Sequence, residues 1–188
     1  MIPEFIKLKE EANNRMDKTI QFFKDELKKI KTGRASVSMV EDIKFDYYGK
    51  QTSIKQAASI STPDAHTIVI DPWDKSIIKN IEKGIAESGM GFTAINDGKV
   101  IRISVPPLTE ETKKEIVKKV KEYGEETKIT IRNERRDINN HIKKFVKEGH
   151  ISQDEERKEI DEIQKVTDAH IKLIDDLIAK KEKEIMGS

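Results

Sequence analysis

The chain has 188 residues, enough for one ordinary domain or two small ones with a modest buried core. Cysteine is absent, which excludes disulfides, thiolate metal sites and a cysteine nucleophile. Its 36 basic and 35 acidic side chains leave a formal net charge of +1, so a polyanionic partner has to be met by a local patch and not by the charge of the whole.

From the amino terminus, residues 1 to 11 mix Glu4, Lys7 and Lys9 among apolar residues, and no run in the chain approaches the roughly 18 apolar residues of a membrane span. A soluble, cytoplasmic protein is expected. Ala12, Met16, Ile20, Phe23, Leu27 and Ile30 recur at spacings of three and four, which predicts a helix with one apolar seam, ended at Lys31-Thr32-Gly33. Ile43, Phe45 and Tyr47 then alternate with Lys44, Asp46 and Tyr48 before Gly49-Lys50, the pattern of a half-buried strand entering a turn. His66 to Ile70 is a second β-rich run. After Asp71-Pro72-Trp73-Asp74, the residues Ile77, Ile78, Ile81 and Ile85 predict a short helix, broken by Ser88-Gly89-Met90-Gly91. Ile95, Asn96-Asp97-Gly98, Ile101, Ile103 and Val105 predict a hairpin with a glycine-containing turn.

Pro106-Pro107 closes this region, because prolines cannot donate to a sheet. Helical spacing resumes from Thr109, a suitable N-cap followed by Glu110 and Glu111. The seam reads Ile116, Val120, Tyr123, Thr127, Ile131, Ile138, Ile142 and Phe145, a helix of about 40 residues and roughly 60 Å. Gly149 ends it. Ser152-Gln153-Asp154-Glu155 forms a capping box for a last helix with the seam Ile160, Ile163, Thr167, His170, Ile174 and Leu177.

Helices this long with narrow apolar stripes have to pack on one another. The expected fold class is α+β: a long three-helix bundle from residues 1–30 and 106–188, with a small α/β, β-rich domain inserted at 31–105. Two strands of chain join them, Lys31, Thr32, Gly33 and Arg34 on one side and Val105, Pro106 and Pro107 on the other, and together they make a hinge.

Enzyme signatures are missing: the sequence holds no phosphate loop, dinucleotide fingerprint, Gly-x-Ser-x-Gly elbow or His-Glu-x-x-His pair. His66, His141, His150 and His170 fall in separate segments without metal-ligand spacing and read as core, seam or surface residues. Acidic pairs such as Glu110-Glu111 and Glu125-Glu126 read as solvated helix faces. A non-enzymatic protein without cofactor or metal is expected.

On the long helix Lys114, Lys118, Lys121, Lys128, Arg132, Arg135 and Arg136 project as a basic stripe roughly 130° from the apolar seam, interrupted only by Glu125. Spacing alone leaves two readings open, an ordinary solvated face and a phosphate-binding surface. Three arginines within two turns favour nucleic acid, recognised by backbone and shape because no groove-reading motif is present. Glu134 falls in the middle of the seam, between Ile131 and Ile138, where a carboxylate is costly unless paired. It is expected either to meet a base on a neighbouring helix, a lysine or Arg15, or to lie where the bundle opens.

The run GRASVSMVEDIKFDYYG from Gly33, PPLTEE from Pro106, RNERRD from Arg132, IS-x-D-E from Ile151 and Gln164-Lys165-Val166-Thr167-Asp168 together resemble the ribosome recycling factor family, in collinear order over essentially the whole chain. The resemblance implies a monomer that binds the large ribosomal subunit and its RNA through the bundle. It implies separation of the subunits by elongation factor G and GTP acting on the inserted domain, with initiation factor three preventing reassociation, while the factor itself hydrolyses nothing. It further implies RNA contacts by Arg132, Arg135 and Arg136, Arg135 foremost, and a hinge at Gly33, Arg34 and Val105 to Pro107. The chain departs from the family pattern at Thr112-Lys113-Lys114, where arginines are common, at Glu134, where an apolar residue is common, and at Val37, where proline is frequent. A generic helical RNA-binding protein and a coiled-coil adaptor are the competing readings.

Overall fold

The computed structural model describes residues 3–30 and 32–187; Lys31, one of the expected hinge residues, lies outside them. In chain order the elements are α1 (Pro3–Lys28), β1 (Lys44–Tyr47), β2 (Lys50–Ser53), β3 (Ala58–Asp64), β4 (Thr67–Pro72), α2 (Ile78–Glu87), β5 (Thr93–Asn96), β6 (Ile101–Ser104), α3 (Glu110–Lys147) and α4 (Gln153–Met186). They form two compact units. One holds the described residues before position 32 together with Glu110–Gly187, and the other holds Thr32–Thr109. Residues 106 to 109, which the helical spacing assigns to the bundle, group with the second unit. The reason is local: Leu108 lies so close to Gly33 that a Cβ on that glycine would stand 2.9 Å from the Leu108 Cγ.

In the first unit α1, α3 and α4 each pack on the other two. The capping box forms as the sequence dictates, with Ser152 Oγ accepting from the Glu155 N–H at 3.2 Å and Glu155 Oε2 accepting from the Ser152 N–H at 2.8 Å. Two apolar clusters fill the bundle, one around Met16, Phe23, Ile131 and Ile174, the other around Phe5, Ala12, Ile138 and Ile163. Along α3 Glu134 falls between the two, and along α4 so do Thr167 and His170, all three buried. The seam of α3 is wider than expected in its first half: Val117 and Gly124 are buried, and Ile116 and Tyr123 pack half-exposed against the same apolar cluster. Gly124 has no side chain, which lets Ile178 of α4 come up against its backbone, and Tyr123 stacks on Phe23 with ring centroids 5.4 Å apart.

In the second unit β1 and β2 pair as a hairpin whose turn is Tyr48-Gly49, both at positive φ (50° and 86°). The other four strands form an antiparallel sheet in the order β3-β4-β6-β5. The hairpin expected over Ile95 to Val105 is present as β5 and β6, with Asn96 opposite Ile101. The strand at 58–64 has no counterpart in the apolar spacing, because Ser59, Ser61, Thr62 and Pro63 hide a β-pattern. The strand is tolerated because it is an edge, and its pairing shifts register between Ser61 and Asp64, around Pro63. One apolar core that includes Phe45, Ile68, Ile81 and Ile103 joins the sheet, α2 and the small hairpin.

Candidate nucleic-acid interface and hinge segments

The seven basic residues of the expected stripe share α3 but differ in what holds them. Lys114 and Lys118 are exposed, and Lys121, also exposed, has its ammonium 3.6 Å from Glu182 on α4. Lys128 departs from a free stripe position: only 12% of its side chain is exposed, and Nζ lies 2.5 Å from Asp175 Oδ1 and 3.2 Å from Glu125 Oε1. The hydrogen bond to Asp175 holds the pKa of this ammonium above its ordinary value. Its charge is already met within the bundle, so helical spacing alone overestimates Lys128 as a phosphate ligand.

The arginines are differently placed. Arg132 is half-buried and, among the described residues, makes no hydrogen bond or ion pair. Arg136 is exposed and only reaches Asn133 Oδ1 on its own helix, at 3.4 Å. Arg135 is half-buried and crosses to α4, where Nη1 donates to Gln164 Oε1 at 3.0 Å; its buried Nε finds no acceptor. Gln164 Nε2 in turn donates to Asp168 Oδ1 at 2.8 Å. The RNERRD and QKVTD runs, far apart in sequence, are thus in direct contact.

Glu134 meets no base. Its Oε1 accepts from Thr19 Oγ1 at 2.7 Å, its Oε2 has no protein partner, and Arg15 is taken by Asp137 at 3.0 Å. The second alternative holds: Glu134 lines a groove of about 500 Å³ between α1 and α3, with Arg15, Lys18, Phe22 and Tyr123 also on its walls. His170 is a seam residue, its Nε2 2.7 Å from Asp17 Oδ1 on α1 and its Nδ1 2.7 Å from the Val166 carbonyl. Among the described residues no group of His, Cys, Asp or Glu is arranged to hold a metal ion, and no helix is long and apolar enough to cross a membrane.

In the second unit both expected hinge segments are tied to the turn between β3 and β4. The Ala35 N–H donates to the Ala65 carbonyl at 2.7 Å, His66 Nδ1 lies 3.2 Å from the Gly33 carbonyl, and the Val105 N–H donates to the His66 carbonyl at 2.8 Å. A carbonyl only accepts, so His66 carries its proton on Nδ1 when it makes that bond. Gly33 has φ +72°, a conformation that favours glycine, and Leu108 covers it. Asp64 shapes the turn, accepting from the His66 N–H at 2.8 Å and from Thr67 Oγ1 at 2.9 Å, and these bonds hold its carboxyl below the usual carboxylate range. Sequence reasoning gave His66 no role. The one local signal was the Asp64-Ala65-His66-Thr67 order, which suits an Asx turn. Pro106 and Pro107 are exposed, and Arg34 and Thr32 make no tie of this kind among the described residues.

Comparison with known proteins points one way. The family model described as ribosome recycling factor matches residues 23–186. A ribosome-recycling factor of a Geobacillus species is 52% identical over 175 residues, covering 93% of this chain and 95% of its own. The one from Desulfatibacillum aliphaticivorans is 50% identical over 177 residues, covering 94% and 96%. Among solved structures, a solution structure of ribosome recycling factor superimposes with a TM-score of 0.79 at 38% identity over the whole of both chains. A second, at TM-score 0.63 and 39% identity over 96% of this chain and 98% of the other, belongs to a set of models of the T. thermophilus factor and E. coli elongation factor G bound to the E. coli post-termination complex.

Proposed function

The chain belongs to the ribosome recycling factor family, non-enzymatic translation factors, and from that premise we propose that it works in the cytoplasm as a monomer that splits post-termination ribosomes into subunits with elongation factor G and GTP. Messenger and transfer RNA are released and the subunits are reused. The observation that carries this reading is the agreement of 96% of the chain, both units included, with a relative from a set of models of ribosome recycling factor and elongation factor G bound to a post-termination complex.

The bundle is the part that binds large-subunit RNA, and α3 presents the contact. Arg132 and Arg136 support this best, since their guanidinium heads carry no carboxylate partner among the described residues and suit phosphate oxygens. Arg135 is the third, oriented from α4. Lys114, Lys118 and Lys121 add exposed charge along the same helix, and Lys128 contributes least. The hinge comprises the segments around Lys31 to Arg34 and Val105 to Pro107. The ties of Gly33, Ala35 and Val105 to the β3–β4 turn draw both segments to one place on the α/β unit, which supports their acting as a pair.

Subunit splitting followed by light scattering tests the function. The protein is added to post-termination ribosomes with matched elongation factor G, GTP and initiation factor three, and the expected outcome is a fall in scattering that requires the chain. Absence of both splitting and large-subunit binding would refute the reading in favour of generic RNA binding.

A further inference from the structure

Among the cations of α3 that α4 reaches, Lys128 and Arg135 are gripped in chemically different ways. Lys128 is held by carboxylates, Asp175 at 2.5 Å and Glu125 at 3.2 Å, which offset its charge. Arg135 is held by a neutral amide, Gln164 Oε1 at 3.0 Å, and that amide is held by Asp168 at 2.8 Å. The donor and acceptor chemistry allows one orientation of the amide. A guanidinium only donates and therefore takes the oxygen; a carboxylate only accepts and therefore takes the nitrogen. Flipping the amide would break both bonds. The relay thus fixes the plane of the Arg135 head while leaving its charge uncancelled, because the carboxylate stands one side chain further back. One of the five guanidinium N–H donors is spent on Gln164, and the buried Nε has no acceptor. A head already ordered in the free protein loses less rotamer entropy when it meets a phosphate.

We propose that Gln164, itself fixed by Asp168, is a positioning residue for Arg135, so that α4 contributes to RNA recognition through a residue of α3. This rests on the reading of Arg135 as an RNA contact. Gln164 is half-buried and Asp168 exposed, so substitutions at either leave the apolar seam intact.

The test is the affinity of the full chain for purified large ribosomal subunits, with helix content and melting temperature followed in parallel. The variants are Arg135→Ala, Gln164→Ala, Asp168→Ala, Asp168→Asn and the Arg135→Ala, Gln164→Ala double variant. Gln164→Ala and Asp168→Ala are each expected to weaken binding about three- to ten-fold, the scale of ordering one rotamer-rich side chain on binding. Asp168→Asn is expected to retain binding, because an asparagine oxygen still accepts from the Gln164 amide. In the Arg135→Ala background, Gln164→Ala is expected to add nothing. Equal losses from Gln164→Ala with and without Arg135, or Asp168→Asn as weak as Asp168→Ala, would overturn the positioning role alone. Wild-type affinity in Arg135→Ala would overturn the RNA contact and the positioning role with it.

Discussion

In the α/β unit the side chains packed around Phe45, Ile68 and Ile103 are apolar, and among the described residues Ser53 is the only buried polar side chain there. The bundle instead parts its two apolar clusters with Glu134, Thr167 and His170. The difference follows from how each architecture sets its register. Backbone pairing fixes the sheet, Ile68 opposite Ile103 on β4 and β6, so its core can be dry. Long helices with a repeating seam can be shifted by a heptad and still bury apolar residues, and polar groups at one level tell the turns apart.

The largest effects come from emptying either apolar core. Ile138→Ala in the bundle and Ile103→Ala in the sheet, both fully buried, should each cost about 2–5 kcal/mol in denaturant unfolding. A much smaller loss at Ile138 would show that the bundle repacks where the sheet cannot. Next, Gly84→Ala should destabilise the α/β unit by about 1–3 kcal/mol despite the better helix propensity of alanine, because a Cβ there would stand 2.8 Å from the Lys44 carbonyl oxygen and 2.7 Å from Phe45 Cβ. Glu134→Leu should leave the melting temperature unchanged or raise stability by up to about 2 kcal/mol, since the carboxylate has one hydroxyl partner and one bare oxygen. A loss of several degrees would show that the Thr19 bond is structurally required. The smallest effect belongs to the grip on Lys128. Its folded pKa is raised above 10.5, so the Asp175 bond is fully present near neutrality and fades as pH climbs through the folded value. Asp175→Asn should therefore cost less than about 1 kcal/mol near neutrality, Asp175 being more than half exposed, and the difference from wild type should vanish in strongly alkaline solution.

Periodicity made the helices, the capping box and the 93–104 hairpin legible, because each is set by residues close in sequence. It does not reveal Gly124 as part of the α3 seam, because there the lack of a side chain, and not an apolar residue, lets α4 approach. It had no strand at 58–64, where an edge position relaxes the demand for β-branched residues. The candidate site was legible as a list of charges and not as a set of partnerships. Lys128 and Arg135 look alike on a helical wheel, and only the identity of the facing α4 residue, Asp175 or Gln164, separates a spent cation from an available one. The same applies to His66, whose importance to the linkers depends on the Gly33 and Val105 backbones that the fold brings to it.

Those linker ties carry a thermodynamic consequence for docking. A domain on a slack tether samples many orientations, and each backbone residue that must settle into one conformation on binding costs about 1–2 kcal/mol of conformational entropy. By fastening Gly33, Ala35 and Val105 to the β3–β4 turn, the α/β unit settles those residues during folding, before any partner arrives. A partner that engages these segments meets residues whose conformational entropy is already spent, so more of its binding free energy is left for the contact itself.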